Sequence, residues 1–194
     1  MLRSLTGIEK YAFVLGNETY YELNNIIMDD IRKRIELISP LNEQEQMALV
    51  DSGDPELLLE YLDKRALRIT ISEETEIRIA KSGNVGMLTA YIEREGVLCD
   101  RAEVELAKTN NAEMIKAYLE YNELCDEAEV ELVKLGNEEI IEAYVTDCYC
   151  SLSDNAEVEL VRLGNKNLLD LYTKHWALGF EAEDELKKLK AKAE

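Results

Sequence analysis

Apolar and polar residues alternate along this chain with a helical period, and the pattern itself recurs. The clearest copies are the pentapeptides Ala-Glu-Val-Glu-Leu at 102–106, 128–132 and 156–160. Each is followed by a Gly-Asn or Asn-Asn pair and then by a tyrosine. After the pair, apolar residues occupy positions i, i+1, i+4 and i+5, and the tyrosine is the third of them. Met114, Ile115, Tyr118 and Leu119 are one such set, which is the stripe of a helix packed on one side. The pattern predicts units of two helices joined by a tight turn.

The turn and the tyrosine extend the repeat upstream. The turns begin at 53, 83, 110, 136 and 164, with spacings of 30, 27, 26 and 28 residues, and the tyrosines at 61, 91, 118, 144 and 172 keep the same spacings. A hairpin this short cannot bury its own apolar stripe, so neighbouring units must stack. The prediction is an all-α fold, an α-α superhelix or solenoid of about five helical hairpins with capping helices at both ends.

The repeat weakens at both ends. Residues 1–40 are interpreted as a degenerate N-terminal helical cap, because Gly16-Asn17 resembles a turn but Asn24 replaces the tyrosine. Residues 41–194 form the solenoid, and a variant of the pentapeptide at 182–186 predicts a C-terminal capping helix. Lysines follow that variant and suit the negative end of a helix dipole. The two parts are expected to make one continuous domain.

The starts of the first helices carry a possible capping signal. Asp100 stands three residues before Glu103, and the same spacing recurs at Asp126 with Glu129 and at Asp154 with Glu157. An N-cap side chain that accepts from the backbone, paired with a glutamate that reaches back, is a capping box. The sequence therefore predicts three capping boxes, with Asn42 and Ser72 serving one place earlier in the first two units.

These elements resemble the short helical repeats of HEAT-like and leucine-rich-repeat-variant bacterial proteins. The resemblance covers about residues 43–189 and rests on the Ala-Glu-Val-Glu-Leu, Gly-Asn and Ala-Tyr elements. It implies a binding scaffold, usually for protein partners. Leucine-rich-repeat-variant proteins can carry an N-terminal iron–sulfur cluster, but this chain has no cysteine before Cys99, so that cofactor does not carry over.

Charge narrows the classes of partner. The chain of 194 residues has 22 Lys and Arg against 41 Asp and Glu, a net charge of −19. Such a chain repels nucleic acids and anionic membranes, so neither is expected as a partner. No apolar run is long enough to span a bilayer, no signal peptide is recognised and the four cysteines are expected to be reduced, which together predict a cytoplasmic protein.

Three periodic sets of residues have chemical potential. The five tyrosines form either an aromatic recognition strip or rings packed inside the hairpins, and the regular spacing favours packing. Glu103, Glu129 and Glu157 are assigned to capping. The carboxylates of Glu105, Glu131 and Glu159 are expected to point to solvent, where they could also meet a basic partner or bind Ca²⁺ weakly.

The cysteines and the single histidine allow further alternatives. Cys125, Cys148 and Cys150 could hold Zn²⁺, although small buried hydrophobes explain them better because the spacing of zinc ligands is absent. His175 and Trp176 either pack the C-terminal cap or form an exposed contact patch. No catalytic or phosphate-binding motif is present, so no enzyme activity, metal or cofactor is predicted.

The function these observations favour is a non-catalytic interaction module that binds a protein or peptide along one face of the solenoid, with a basic partner among the candidates. The second helices vary at one repeat position, occupied by Thr89, Lys116, Glu142 and Asp170, and variation on a fixed scaffold generates specificity. His175 and Trp176 extend this candidate surface. The alternatives are an acidic decoy that imitates nucleic acid and occupies a basic site on another protein, and a metal-binding or enzymatic role.

Overall fold

The computed structural model describes residues 17–64, 71–148 and 150–193, and all regular structure in these ranges is helical. The helices are α1 (Asn17–Glu36), α2 (Glu43–Asp51), α3 (Pro55–Asp63), α4 (Glu73–Lys81), α5 (Val85–Glu95), α6 (Asp100–Thr109), α7 (Ala112–Leu119), α8 (Asp126–Leu135), α9 (Glu138–Glu142), α10 (Asp154–Leu163), α11 (Lys166–His175) and α12 (Phe180–Ala193). A π-helical segment, Ala143–Asp147, continues α9.

Two layers of helices run the length of the described stack. The first helices of the hairpins, called A helices, are α2, α4, α6, α8 and α10, and each packs on its neighbours in that series. The second helices, called B helices, are α3, α5, α7, α9 and α11, and they form the other layer. This arrangement confirms the predicted all-α solenoid of five hairpins.

The two ends differ in how they close the stack. The C-terminal helix α12 packs on α10, so it occupies the place of a sixth A helix, as the variant pentapeptide predicts. At the other end α1 packs against α2 and α3. The predicted cap at 1–40 is therefore seen from Asn17 onward, and residues 1–16 lie outside the described residues.

One apolar core joins the units. It runs from Met28 in α1 to Tyr172 in α11 without interruption. The leucine that ends each pentapeptide lies at its centre, since Leu106, Leu132 and Leu160 are at most 1% exposed. Complete burial of a leucine side chain contributes about 1.5–3 kcal/mol, so the A helices are held chiefly by these contacts.

The turn between the two helices of a hairpin has two separate roles. Its first residue ends the A helix in the left-handed region, with φ of 54° at Asn110 and 63° at Gly136. Its second residue starts the B helix, because the Asn111 side chain accepts from the Met114 N–H at 3.2 Å. The same cap recurs in every hairpin, at Asp54, Asn84, Asn111, Asn137 and Asn165. The sequence predicts the tight turn but not the second cap.

The predicted capping boxes at Asp100, Asp126 and Asp154 are wrong. The N-cap residues of the A helices are Asn42, Ser72, Cys99, Cys125 and Ser153, so the three aspartates lie inside the first turn. Cys99, Cys125 and Ser153 make no side-chain cap. Only Asn42 in this set completes a capping box, with Glu45. The glutamates assigned to the other boxes are engaged elsewhere in the fold.

Candidate functional site

Those glutamates lie in the interior of the stack. Glu129 is 5% exposed, and its carboxylate accepts from the Tyr144 hydroxyl of its own hairpin and, at 2.7 Å, from the Ser153 N–H at the start of the next A helix. Glu103 accepts in the same way from the Tyr118 hydroxyl at 2.5 Å and the Cys125 N–H at 2.6 Å. One carboxylate therefore ties both helices of a hairpin to the next hairpin.

The arrangement repeats with its register unchanged. Glu157 accepts from the Tyr172 hydroxyl and from the Gly179 N–H, both at 2.6 Å. We call the three pairs Glu103–Tyr118, Glu129–Tyr144 and Glu157–Tyr172 the Glu–Tyr nodes. All five repeat tyrosines are at most 3% exposed, which confirms that the ladder is packed inside the hairpins and is not a recognition strip.

The first two units show which side chains occupy the position of the node glutamate elsewhere in the stack. Glu76 takes the same position and accepts from the Cys99 N–H at 2.6 Å. In the first unit the position is Gln46, whose Oε1 accepts from the Ser72 N–H at 3.0 Å while its Nε2 donates to the Leu41 carbonyl at 3.2 Å. A glutamate or glutamine fifteen residues before each tyrosine is visible in the sequence and marks the node.

Burial sets the protonation behaviour of the nodes. It raises the pKa of Tyr118, Tyr144 and Tyr172 above the usual tyrosine range, and the neighbouring glutamate raises it further. These hydroxyls therefore stay protonated and donate. Burial also raises the pKa of Glu129, and the hydrogen bonds from Ser153 and Tyr144 offset part of that effect. The nodes are buried hydrogen bonds that join successive hairpins.

A pH-dependent difference between Glu129 and its amide variant follows. A carboxyl whose pKa is raised on folding adds stability below its unfolded pKa of about 4.3, and that stability is lost as pH rises through the folded value. Glu129→Gln removes this titration, and Gln46 shows that an amide fits. We expect the unfolding free energy of the variant, minus that of the wild type, to increase as pH rises from about 4 to about 8. Urea unfolding at several pH values measures it, and a difference that does not change with pH would contradict the assignment.

Three carboxylates on the outer face of the A helices are ion-paired. Glu105 is bound by Lys108 at 2.9 Å and Lys81 at 2.6 Å, which lowers its pKa. Glu131 pairs with Lys134 at 2.7 Å, and Glu159 pairs with Arg162 at 2.9 Å. These three carboxylates are partly exposed, and each is also paired with a cation three residues further along its helix.

One stretch of the B layer holds exposed carboxylates and no cation of its own. Glu138, Glu139, Glu142 and Asp147 on α9 and its π-helical continuation are all exposed, and that stretch contains no Lys or Arg. Glu139 binds Lys116 on α7 at 2.7 Å. The pKa of Lys116 is raised first by Glu139, then also by Asp147 and Glu142, so these groups lie around one lysine.

An exposed tyrosine follows the neighbouring B helix. Tyr121, in the turn after α7, is 66% exposed and lies between the exposed Glu120 and Glu123 in the sequence. Burial raises the pKa of Cys148, and the charges of Asp147 and Glu120 raise it further, which indicates that Glu120 lies on the same side of the stack as the end of the π-helical segment. We call Glu120, Tyr121, Glu123, Glu142 and Asp147 the acidic B patch. Carboxylates beside an open aromatic face favour Lys and Arg through charge and cation–π contact.

The predicted partner-binding column lies along the B layer with uneven exposure. Thr89 and Lys116 are half-buried, whereas Glu142 and Asp170 are exposed. His175 at the end of α11 is exposed, and Trp176 beside it is half-buried. Of these six residues only Glu142 belongs to the acidic B patch. The assignment of the column as a binding surface stays a prediction. The sequence analysis missed Tyr121 because the equivalent positions in the two adjacent units are not aromatic.

The cysteines provide no clear site within the described ranges. All four are free thiols, with Cys150 buried and the other three half-buried. Burial raises the pKa of Cys99 and Cys125 to about 11, so both stay protonated at neutral pH. Among residues 17–64, 71–148 and 150–193 no group of three or more His, Cys, Asp or Glu side chains is arranged to hold a metal ion.

Comparison with known proteins identifies no relative of this chain. No protein-family model, no curated protein and no solved structure matches the chain. Within the described part of the chain, no helix has the length and apolar character needed to cross a membrane. Function must therefore be argued from the surfaces of the stack.

Proposed function

We propose that this protein is a non-catalytic interaction module that binds a protein or peptide partner along the B-helix face. The observation that carries the proposal is the stretch formed by α9 and its π-helical continuation, which holds four exposed carboxylates and no Lys or Arg. Within the described structure, Glu142 and Asp147 of this stretch form no ion pair, whereas Glu105, Glu131 and Glu159 on the A face are each paired with a cation. Exposed carboxylates that form no ion pair within the stack can pair with the cations of a partner.

The partner segment that fits this face is basic. Lys or Arg side chains reach the carboxylates of the acidic B patch, and Tyr121 offers a ring face to one of them. The repeat supports such binding, because the B helices hold varied side chains on a scaffold fixed by the Glu–Tyr nodes. The periodic Glu and Tyr residues are buried or ion-paired, which supports a structural role for them.

Site-specific photo-crosslinking in the native cells tests the proposal. A photoreactive phenylalanine analogue at Glu142 or at Asp170 is expected to capture the same protein, through a Lys- or Arg-rich segment found by mass spectrometry. The matched control places the analogue at Glu127, an exposed carboxylate on the A face, and is expected to capture that protein several times less. Equal capture from Glu127, or capture of no protein from the B positions, would contradict the proposal.

The acidic-decoy alternative is favoured by one observation, the absence of any cation on α9 and its continuation. A decoy imitates the phosphate backbone, so its binding weakens steeply with added salt. A module that also uses Tyr121 and apolar contacts retains most of its affinity. The salt dependence of the captured complex therefore separates the two functions.

A further inference from the structure

The length of the repeat varies in one place only. In every hairpin, fifteen residues separate the glutamate or glutamine at the node position from the repeat tyrosine, and the apolar residue that closes the hairpin stands five residues before the next node position. The interval from the tyrosine to that closing residue is instead 10, 7, 6, 8 and 6 residues in the five hairpins. Insertions in repeat proteins map to loops on one face, which is often the binding face. We call the edge formed by these B-to-A loops the loop edge.

The far end of these loops is fixed by the next hairpin. The Leu98 N–H donates to the Tyr118 hydroxyl at 3.3 Å, and the Leu152 N–H donates to the Tyr172 hydroxyl at the same distance. Each bond holds a closing leucine on the tyrosine of the following unit. The residues before it can therefore differ in number and type while the register of the stack stays the same.

Two neighbouring loops of this edge expose apolar side chains. Val97 is 54% exposed and Tyr121 is 66% exposed. The loops that carry them are in contact, because the Asn122 side chain donates to the Gly96 carbonyl at 2.8 Å. In the next hairpin, the B helix continues as the π-helical segment Ala143–Asp147, which ends in an exposed carboxylate. The loop edge thus combines apolar side chains from two hairpins with a carboxylate from a third.

Charge determines the kind of occupant that fits this edge. Residues 95–97 and 120–123 together with Asp147 include four carboxylates and no Lys or Arg. Three of these carboxylates are exposed, at Glu120, Glu123 and Asp147. The cation that directly precedes the first loop, Arg94, is bound by an aspartate on α3. Carboxylates around exposed apolar side chains favour an occupant that has Lys or Arg beside an apolar residue.

Spacing determines the conformation of the occupant. Packed helices lie about 8–10 Å apart, so equivalent loops of successive hairpins are separated by about that distance. A polyproline II segment has three residues per turn and rises about 3.1 Å per residue, so every third side chain faces the same side at intervals of about 9 Å. Such a segment therefore presents one side chain to each hairpin in turn.

We propose that the loop edge binds an extended, basic segment of a partner protein. An apolar side chain of that segment lies against Val97 and Tyr121. Lys or Arg side chains at every third position pair with Glu123 and Asp147. The proposal rests on the proposed function and deepens it, because it narrows the binding surface from the B-helix face to its loops and specifies the conformation and spacing of the partner segment.

A synthetic peptide serves as the probe. Its sequence, Lys-Pro-Ser-Leu-Pro-Ser-Lys-Pro-Ser-Lys, places Lys or Leu at every third position and favours the polyproline II conformation. The matched control, Lys-Lys-Lys-Leu-Pro-Ser-Pro-Ser-Pro-Ser, has the same composition and charge without the spacing. Both carry a fluorescent label, and anisotropy measures their binding to the full chain. We expect saturable binding of the first peptide and binding of the control at least about fivefold weaker.

Two pairs of variants locate the contact. Tyr121→Ser is expected to weaken binding of the first peptide about fivefold, whereas Leu135→Ser, which removes a 43% exposed side chain at an A-to-B turn, changes it less than about twofold. Glu123→Lys is expected to weaken binding about tenfold at about 0.15 M salt, and Glu127→Lys, the same charge change on the A face, much less. Unchanged urea transitions establish that the variants fold.

The outcomes separate this proposal from the proposed function. Equal binding of the two peptides, or equal effects within either pair of variants, would overturn the loop edge as the binding surface. If crosslinking from Glu142 and Asp170 then captures the same partner in the wild type and in Tyr121→Ser, the B-face function stands alone. Failure of both experiments would overturn both. Self-association of the chain that Tyr121→Ser abolishes would identify a second copy as the occupant, and so would overturn the assignment to a basic segment.

Discussion

Replacement of Glu129 by alanine is expected to destabilise the protein by about 3 kcal/mol. The change leaves the Tyr144 hydroxyl and the Ser153 N–H buried without their acceptor, and each such loss costs about 1–3 kcal/mol. The cavity left by the side chain adds to the cost. Chemical unfolding followed by far-UV circular dichroism measures the loss.

Glu131 gives the matched control, because it is a glutamate on the same helix with one exposed ion pair to Lys134. Surface ion pairs contribute about 0–1 kcal/mol, so Glu131→Ala is expected to change stability by less than about 1 kcal/mol. Similar effects of the two substitutions would mean that the Glu129 carboxylate does not hold successive hairpins together.

The repeat architecture was predictable from the sequence because its determinants are local. The apolar stripe that includes Tyr118 acts within one hairpin, and so does the left-handed residue Asn110. Stacking then follows, because a short hairpin cannot bury that stripe alone. The spacing of turns and tyrosines was therefore sufficient to predict the fold without any tertiary information.

The role of the node glutamates was not predictable in the same way. Asp100 and Glu103 have the spacing of a capping box, and nothing local distinguishes that role from a buried contact. The deciding group is the Cys125 N–H, which belongs to the next hairpin and lies 2.6 Å from the Glu103 carboxylate. The fifteen-residue offset from glutamate to tyrosine was the available signal, and it needed a tertiary interpretation.

Charged groups on the surface also differ in whether the sequence predicts their arrangement. Glu105 with Lys108 is a pair three residues apart on one helix, so its neutralisation was open to prediction from spacing alone. The acidic B patch is not, because it joins Glu120 at the end of one B helix to Asp147 near the end of the next. Such patches depend on how the units stack.

Removal of one complete unit is expected to leave a folded, shorter stack. Deletion of residues 99–124 joins Leu98 to Cys125 and so restores the sequence Leu-Cys-Asp that begins the unit removed. Glu76, which now accepts from the Cys99 N–H, meets the Cys125 N–H in its place. The core and the capping helices keep their neighbours, so only the contacts of one unit are lost.

Deletion of residues 112–124 is the control, because it removes only α7 and the following loop. It leaves Glu103 buried without Tyr118 and joins two A helices directly, which exchanges the layers for every later helix. This shorter deletion is expected to abolish cooperative unfolding although it removes half as many residues.

Urea unfolding of these two deletion variants, followed by far-UV circular dichroism, tests directly whether the stack is joined unit by unit. The variant lacking 99–124 is expected to keep the helical signal per residue of the full chain and to unfold cooperatively at lower urea, whereas the variant lacking 112–124 is not. Loss of structure in both variants, or equal tolerance of both deletions, would contradict a stack of hairpins joined unit to unit by buried Glu–Tyr nodes.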